Sequence, residues 1–121
     1  LVPWSLDRPG LTSGFVPSEI AAPLDLLCVH IYPERSKINE ALETLSGFAV
    51  GKPVVVEETF PLRCSAEELG EFVRRSEGTA SGWIGFYWGK TLEECRASKT
   101  FADAFMYAWL KFFQSHAPTK K

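Results

Sequence analysis

Side chains that could do chemistry stand at the ends of three short apolar segments of the sequence. His30 and Tyr32 end the first segment, Glu57 and Glu58 end the second, and Trp88 ends the third. A carboxylate can serve as a nucleophile, histidine and tyrosine can donate hydrogen bonds to it, and an indole ring can stack on an apolar ligand surface. If the three segments are neighbouring strands, these groups meet at one edge of a sheet.

The three segments have the composition of buried strands. Residues 26–32, 53–58 and 82–88 are rich in β-branched or aromatic residues and are bounded by Pro or Gly, a pattern typical of strands covered on both faces. The parallel strands of such sheets carry functional groups at their carboxyl ends, where the loops vary without disturbing the packed interior. The sequence therefore predicts a parallel sheet with its polar groups at one rim.

Amphipathic helices are predicted between and after these strands. Hydrophobic spacing predicts a helix over residues 36–50 with Ser36 as its N-cap, and a capping box at Ser65 begins another that ends near Gly78. A third helix is expected over residues 98–115, with its aromatic residues in the core, and a short one near residues 18–22. Strands that alternate with helices indicate βαβ units.

The motifs at the strand ends resemble those of the cellulase and mannanase type of glycoside hydrolase, the large clan A that includes family five. His30 and Tyr32 match the His-x-Tyr that ends the sixth strand in that clan. The seventh strand of the clan ends in the nucleophile and is matched by Lys52-Pro53, three valines and Glu57-Glu58. Trp88 matches the tryptophan on which the sugar stacks in the clan. The resemblance covers nearly the whole chain.

The resemblance implies a fold and a domain organisation. It makes residues 1–121 one α/β domain, a parallel (β/α) half-barrel that forms the C-terminal part of a TIM (β/α)8 barrel. That part would run from the end of strand 5, at residues 1–4, to helix 8. A full barrel needs about 250 residues, so a half-barrel would expose an apolar inner face and two strand edges. We therefore expect either an N-terminal half-barrel as partner or self-association.

The resemblance also implies a function, that of a retaining β-glycan hydrolase acting on an oligo- or polysaccharide without a cofactor or metal. Glu58 would be the catalytic nucleophile, Tyr32 would hydrogen-bond it, His30 would line the site and Trp88 would stack on a sugar ring. Because side chains alternate along a strand, Glu57 is expected to point to the face opposite Glu58.

The sequence departs from the family at the second catalytic carboxyl. A retaining hydrolase needs an acid/base about 5 Å from the nucleophile, and the family draws it from an Asn-Glu pair that ends strand four. The Asn39-Glu40 pair of this chain falls inside a predicted helix instead. We therefore expect the isolated chain to be inactive.

Other readings of the same residues are open. The two glutamates could be solvated charges, His30 a structural strand residue, Trp88 a core tryptophan and Lys90 a solvated loop lysine. The chain as a whole could be a non-catalytic carbohydrate-binding or truncated relic protein. A metal-dependent hydrolase would have only His30 and Glu58 as ligands, fewer than the usual three.

Composition limits the partners. A formal net charge of −2 without a run of Lys or Arg argues against nucleic acid, and the apolar stretches are too short for a membrane span. No signal peptide is visible, and the family's tendency towards secretion leaves the localisation unknown. Of the three cysteines, Cys28 is expected to be buried, and Cys64 and Cys95 are expected to pair.

Overall fold

The structure, a computed structural model, describes residues 15–117 and contains alternating helices and strands. Its elements in chain order are α1 (Pro17–Ile20), β1 (Leu27–His30), α2 (Ile38–Ser46), β2 (Val54–Thr59), α3 (Ala66–Ser76), β3 (Ala80–Gly85), α4 (Leu92–Ala97) and α5 (Phe101–His116). These elements belong to two compact units, the first up to Phe86 and the second from Tyr87 onward.

The first unit is built on a parallel sheet with the strand order β1-β2-β3. Helix α2 connects the first two strands and α3 connects the second two, because parallel neighbours require a crossover. One face of the sheet is buried through alternate strand residues and contributes to the core together with the apolar sides of both helices. The buried residues include Leu27, Val29, Val54, Val56, Leu45, Leu69 and Phe72.

The opposite face of the sheet carries large apolar side chains that are exposed. Leu26 is 45% exposed, Ile84 56% and Phe86 59%. A Cβ built on Gly82 would lie 4.0 Å from a methyl group of Val55, so alternate residues from Gly82 onward share the face of Val55. We call this surface the open face. Apolar side chains exposed on one face are unusual in an all-parallel sheet, since such sheets normally have both faces covered.

The predicted half of a TIM barrel is wrong. Residues 15–117 contain one small sheet of three parallel strands with five helices, which makes the chain α/β without forming a half-barrel. The expected strand end at residues 1–4 lies outside the described residues. Strand–helix alternation predicts parallel crossovers, but it fixes neither the number of strands nor the closure of the sheet. The N-terminal half-barrel expected as partner depended on that fold and is not retained.

Helix α3 begins as its sequence predicts. The backbone N–H of Glu68 donates to Ser65 Oγ (3.2 Å), and the backbone N–H of Ser65 donates to Glu68 Oε2 (2.9 Å). The predicted N-cap of α2 is wrong by one residue, because Lys37 occupies that position. Ser36 has a left-handed backbone with φ 61°, and its N–H donates to Glu68 Oε1 (2.8 Å).

The second unit pairs α4 with α5. Helix α4 was not predicted, although Thr91 and Glu94 form a capping box at its start, and Cys95 is buried on it. The aromatic residues of α5 were expected in the core, but none of its residues is buried. That prediction is wrong because aromatic spacing indicates a helix without fixing what covers it. No helix within residues 15–117 has the length and hydropathy needed to cross a bilayer.

The cysteines are thiols rather than disulfide partners. Cys95 is buried, whereas Cys28 and Cys64 are half-buried. The predicted Cys64–Cys95 bridge is therefore wrong, and so is the expectation that Cys28 is buried. Cys28 lies on the open face of β1, two residues before His30.

Candidate active site

A bulge in β2 positions the two adjacent glutamates. Val29 pairs with Val56, but the next residue of β1, His30, pairs with Glu58, which leaves one extra residue in β2. The pairing with β3 shows the same extra residue. Val56 pairs with Trp83 and Thr59 with Gly85, so β2 advances three residues where β3 advances two. Bulges of this kind interrupt the alternation of side chains and often lie next to active sites. The alternation of β2 breaks here, and Glu57 and Glu58 are both half-exposed.

Glu58 has a neighbouring side chain at each of its carboxyl oxygens. Tyr32 Oη donates to Glu58 Oε1 (2.5 Å), and His30 Nδ1 faces Glu58 Oε2 at 3.2 Å. Burial, reinforced by the neighbouring Glu58 carboxylate, raises the pKa of Tyr32 above its ordinary value, so the hydroxyl keeps its proton and remains a donor. The Glu58 carboxylate is therefore oriented by Tyr32 at one oxygen and by His30 at the other.

Glu57 contacts the same histidine from its other nitrogen. His30 Nε2 lies 3.1 Å from Glu57 Oε1. The Cys28 thiol and His30 hydrogen-bond Glu57 and hold the pKa of its carboxyl below the ordinary value. Burial, followed by the hydrogen bond to Glu57, raises the pKa of Cys28. A neutral imidazole has one N–H, so both contacts of His30 are donations only when the ring carries two protons.

The expectation that Glu57 points away from Glu58 is wrong. The period of two holds along β2 as far as Val56 and fails at the bulge, so one imidazole contacts both carboxyl groups. These side chains are accessible, with 27% of His30, 40% of Glu57 and 23% of Glu58 exposed. The group lies beside the open face, where a ligand can reach it.

The structure brings together three of the four predicted site residues, His30, Tyr32 and Glu58. The fourth, Trp88, belongs to the second unit and is 99% exposed, so it is not a core tryptophan. Trp83 has a structural role instead, because its indole N–H donates to Ser76 Oγ (3.0 Å).

The Asn-Glu pair of this chain is helical, as the sequence predicts. Asn39 and Glu40 lie in α2, where Glu40 is 68% exposed and 3.5 Å from Lys37. Asn39 Oδ1 accepts a hydrogen bond from Arg75. Both residues therefore lie on a helix and not at the end of a strand.

Sequence reasoning missed the contributions of Glu57 and Cys28. The spacing of Cys28, His30 and Tyr32 at alternate positions was a usable signal for Cys28, because it places all three on one face of a strand. No equivalent signal predicts the bulge. Within residues 15–117, no group of three or more His, Cys, Asp or Glu side chains is arranged to hold a metal ion.

No family model, no curated protein and no solved structure matches the chain. The resemblance to clan A glycoside hydrolases therefore stays a prediction made from the strand-end motifs.

Proposed function

We propose that Glu58, in the first unit, is the nucleophile in the hydrolysis of a β-glycan with retention of configuration. One observation carries the proposal: each oxygen of Glu58 has a fixed neighbour, Tyr32 on one and His30 on the other. A nucleophilic carboxylate must keep its orientation while a lone pair attacks the anomeric carbon.

Glu57 acts in this proposal as a positioning residue. Its contact with His30 Nε2 orients the ring so that Nδ1 faces Glu58. Because the pKa of Glu57 is below its ordinary value, its carboxyl is ionised at neutral pH and is a poor general acid. The proton for the leaving oxygen must come from another group, and we expect the chain by itself not to turn over unactivated glycans.

The test uses a substrate that needs no acid. We expect 2,4-dinitrophenyl 2-deoxy-2-fluoro-β-cellobioside, or its mannobioside analogue, to attach its sugar covalently to Glu58, because dinitrophenolate leaves without protonation. Peptide mass spectrometry of the intact chain after incubation locates the label. Glu58→Gln should abolish labelling, whereas Glu57→Gln should slow it by roughly tenfold to a hundredfold, the range for a lost orienting contact.

Label on Glu57, or none on the unmodified chain with either reagent, would refute the assignment of Glu58. Tyr32→Phe is the matched variant for the hydroxyl that donates to Glu58, since it keeps the ring and removes the hydroxyl. We expect it to slow labelling without abolishing it.

The open face is the basis of a proposal about partners. Leu26, Ile84 and Phe86 are large apolar residues exposed on the sheet of the first unit, and each Å² of apolar surface removed from water contributes about 25 cal/mol. We propose that a second copy of the chain covers the apolar part of this face, formed by Leu26, Ile84 and Phe86. Light scattering should show an oligomer that Ile84→Glu shifts towards monomer, and a monomer at every concentration would contradict the proposal.

A carbohydrate-binding function without catalysis is the second candidate. The observation that favours it is the exposure of Trp88, because a flat aromatic ring in solvent can stack on the C–H face of a pyranose. The two candidates differ in the fate of the fluorosugar reagent, which labels a nucleophile but not a binding platform.

A further inference from the structure

An apolar pocket lies in the first unit where the chain leaves α1 and enters β1. Its volume is about 600 Å³, within the range of small-molecule sites, about 300–1,000 Å³. Two members of the lining are polar, Glu19 and Cys28, and the others are apolar. The apolar members include Phe15, Ile20, Leu24 and Leu26. We call this space the α1 pocket.

The apolar walls of the pocket are in contact with water. Phe15 is 52% exposed, Leu24 36% and Leu26 45%. Apolar surface of this kind gains free energy when a ligand removes it from water. The lining therefore favours a ligand with an apolar chain or ring.

Glu19 supplies the charge of the pocket lining. Its side chain is exposed, and within residues 15–117 no ion pair involves it. Lys52 reaches the same segment, but its ammonium group donates to the Ala22 carbonyl (3.4 Å) and does not line the pocket. A positively charged ligand group would therefore find a carboxylate to pair with at this position.

Cys28 links the pocket to a second carboxylate. It is part of the pocket lining, and its thiol hydrogen-bonds Glu57. Burial is the largest cause of the raised pKa of Cys28, so the thiol stays neutral and adds no charge of its own. Glu57 adds negative potential next to it. Both carboxylates disfavour an anionic ligand.

We propose that the α1 pocket binds a hydrophobic amine, a ligand with an apolar chain or ring and one ammonium group. The apolar part would cover Phe15, Leu24 and Leu26, and the ammonium group would pair with Glu19. The site is separate from the proposed hydrolysis, because neither Glu58 nor the two side chains that contact it line the pocket.

The test compares three ligands with the same chain and different head groups. Octylamine, octanol and octanoate are titrated into the full chain by isothermal calorimetry, and we expect the amine to bind most tightly and the carboxylate least. Glu19→Gln should weaken binding of the amine about twofold to fivefold, the range for an exposed ion pair, without affecting the alcohol. Glu77→Gln is the matched control, because it removes an exposed carboxylate of the same unit outside the pocket.

A second readout locates the bound amine. Cys28 lines the pocket and Cys64 does not, so octylamine should slow the alkylation of Cys28 by iodoacetamide without slowing that of Cys64. Peptide mass spectrometry measures both rates in one sample.

A pair of leucine variants tests the apolar walls. Leu24→Ala should weaken binding of octylamine roughly threefold to tenfold through loss of an apolar contact. Leu62→Ala removes a leucine of the same unit that is 62% exposed and outside the pocket, and we expect it to leave binding unchanged. Circular dichroism of each variant confirms that the helices are retained.

The pocket shares Leu26 with the apolar part of the open face. A second copy on that face would compete with the amine, so Ile84→Glu should keep or strengthen amine binding. Glu58→Gln should abolish fluorosugar labelling while leaving amine binding unchanged, so the two proposals fail separately. No binding of octylamine by the Ile84→Glu variant, equal binding of the three ligands, or equal protection of both thiols would overturn the α1 pocket as an amine site.

Discussion

Thr59 carries an unusual feature that a single substitution can test. Its side chain is fully buried at the end of β2, and its hydroxyl oxygen has no hydrogen-bond partner among the described residues. Its backbone is well paired, because the carbonyl accepts the N–H of Phe86 (2.9 Å). Thr59→Val replaces the hydroxyl by a methyl group of nearly equal size and leaves the backbone bond intact.

The expected effect is stabilisation. A buried polar group without a partner costs about 1–3 kcal/mol, and the new methyl adds up to about 0.8 kcal/mol of apolar burial. Because the shapes match, no cavity or overlap offsets these gains. We expect the free energy of unfolding to rise by at least about 1 kcal/mol, which corresponds to a midpoint shift of at least about 4 °C for a chain of this size.

Urea denaturation monitored by circular dichroism measures the change, with Thr59→Ser and Thr59→Ala as controls. The serine variant keeps the unpaired hydroxyl and loses the methyl group, so it should be less stable than the unmodified protein. The alanine variant loses both groups, and we expect it to fall below the valine variant. A valine variant less stable than the unmodified protein would refute the reasoning, since it would mean that the Thr59 hydroxyl has a favourable interaction.

Three further predictions concern stability and thiol reactivity. Because the folded pKa of Asp103 is depressed, its pairing with Lys90 stabilises the protein above the unfolded pKa and is lost as the pH falls below about 5; Asp103→Asn should flatten this part of the curve of stability against pH. Ser65→Ala should lower the free energy of unfolding by about 1 kcal/mol in urea denaturation by removing the cap of α3, and Ser65→Thr should recover most of it. Burial, with Glu68 nearby, raises the pKa of Cys64 to about 11, so its alkylation by iodoacetamide, followed by mass spectrometry, should still accelerate above pH 9, and a plateau below that pH would contradict the assignment.

The local elements of the fold are largely readable from the sequence, whereas the architecture is not. The valines of β2 and the capping box at Ser65 predict a strand and a helix start, and the structure has both. The half-barrel fails because each strand–helix unit is locally the same in a barrel and in a small open sheet. The number of strands and the cover of each face depend on contacts that local periodicity does not encode, as the exposed residues of α5 also illustrate.

The candidate site shows the same division. Alternation along one strand predicts that His30 and Tyr32 share a face, and both contact Glu58. The contact of Glu57 with His30 depends on a bulge, which is a property of pairing with two neighbouring strands rather than of β2 alone. A sequence read one strand at a time places Glu57 on the wrong side.

The bulge also has a genetic consequence. If Glu57 were deleted as a whole residue, Val56 and Glu58 would become consecutive partners of Val29 and His30, and the ladder would be regular. Val56 and Thr59 would stay buried and Glu58 would stay beside the open face. A single codon therefore separates a site with one carboxylate from a site with two, at no cost to the register of the core. Insertions and deletions, more than substitutions, are the changes to follow at this position when the chain is evolved in the laboratory.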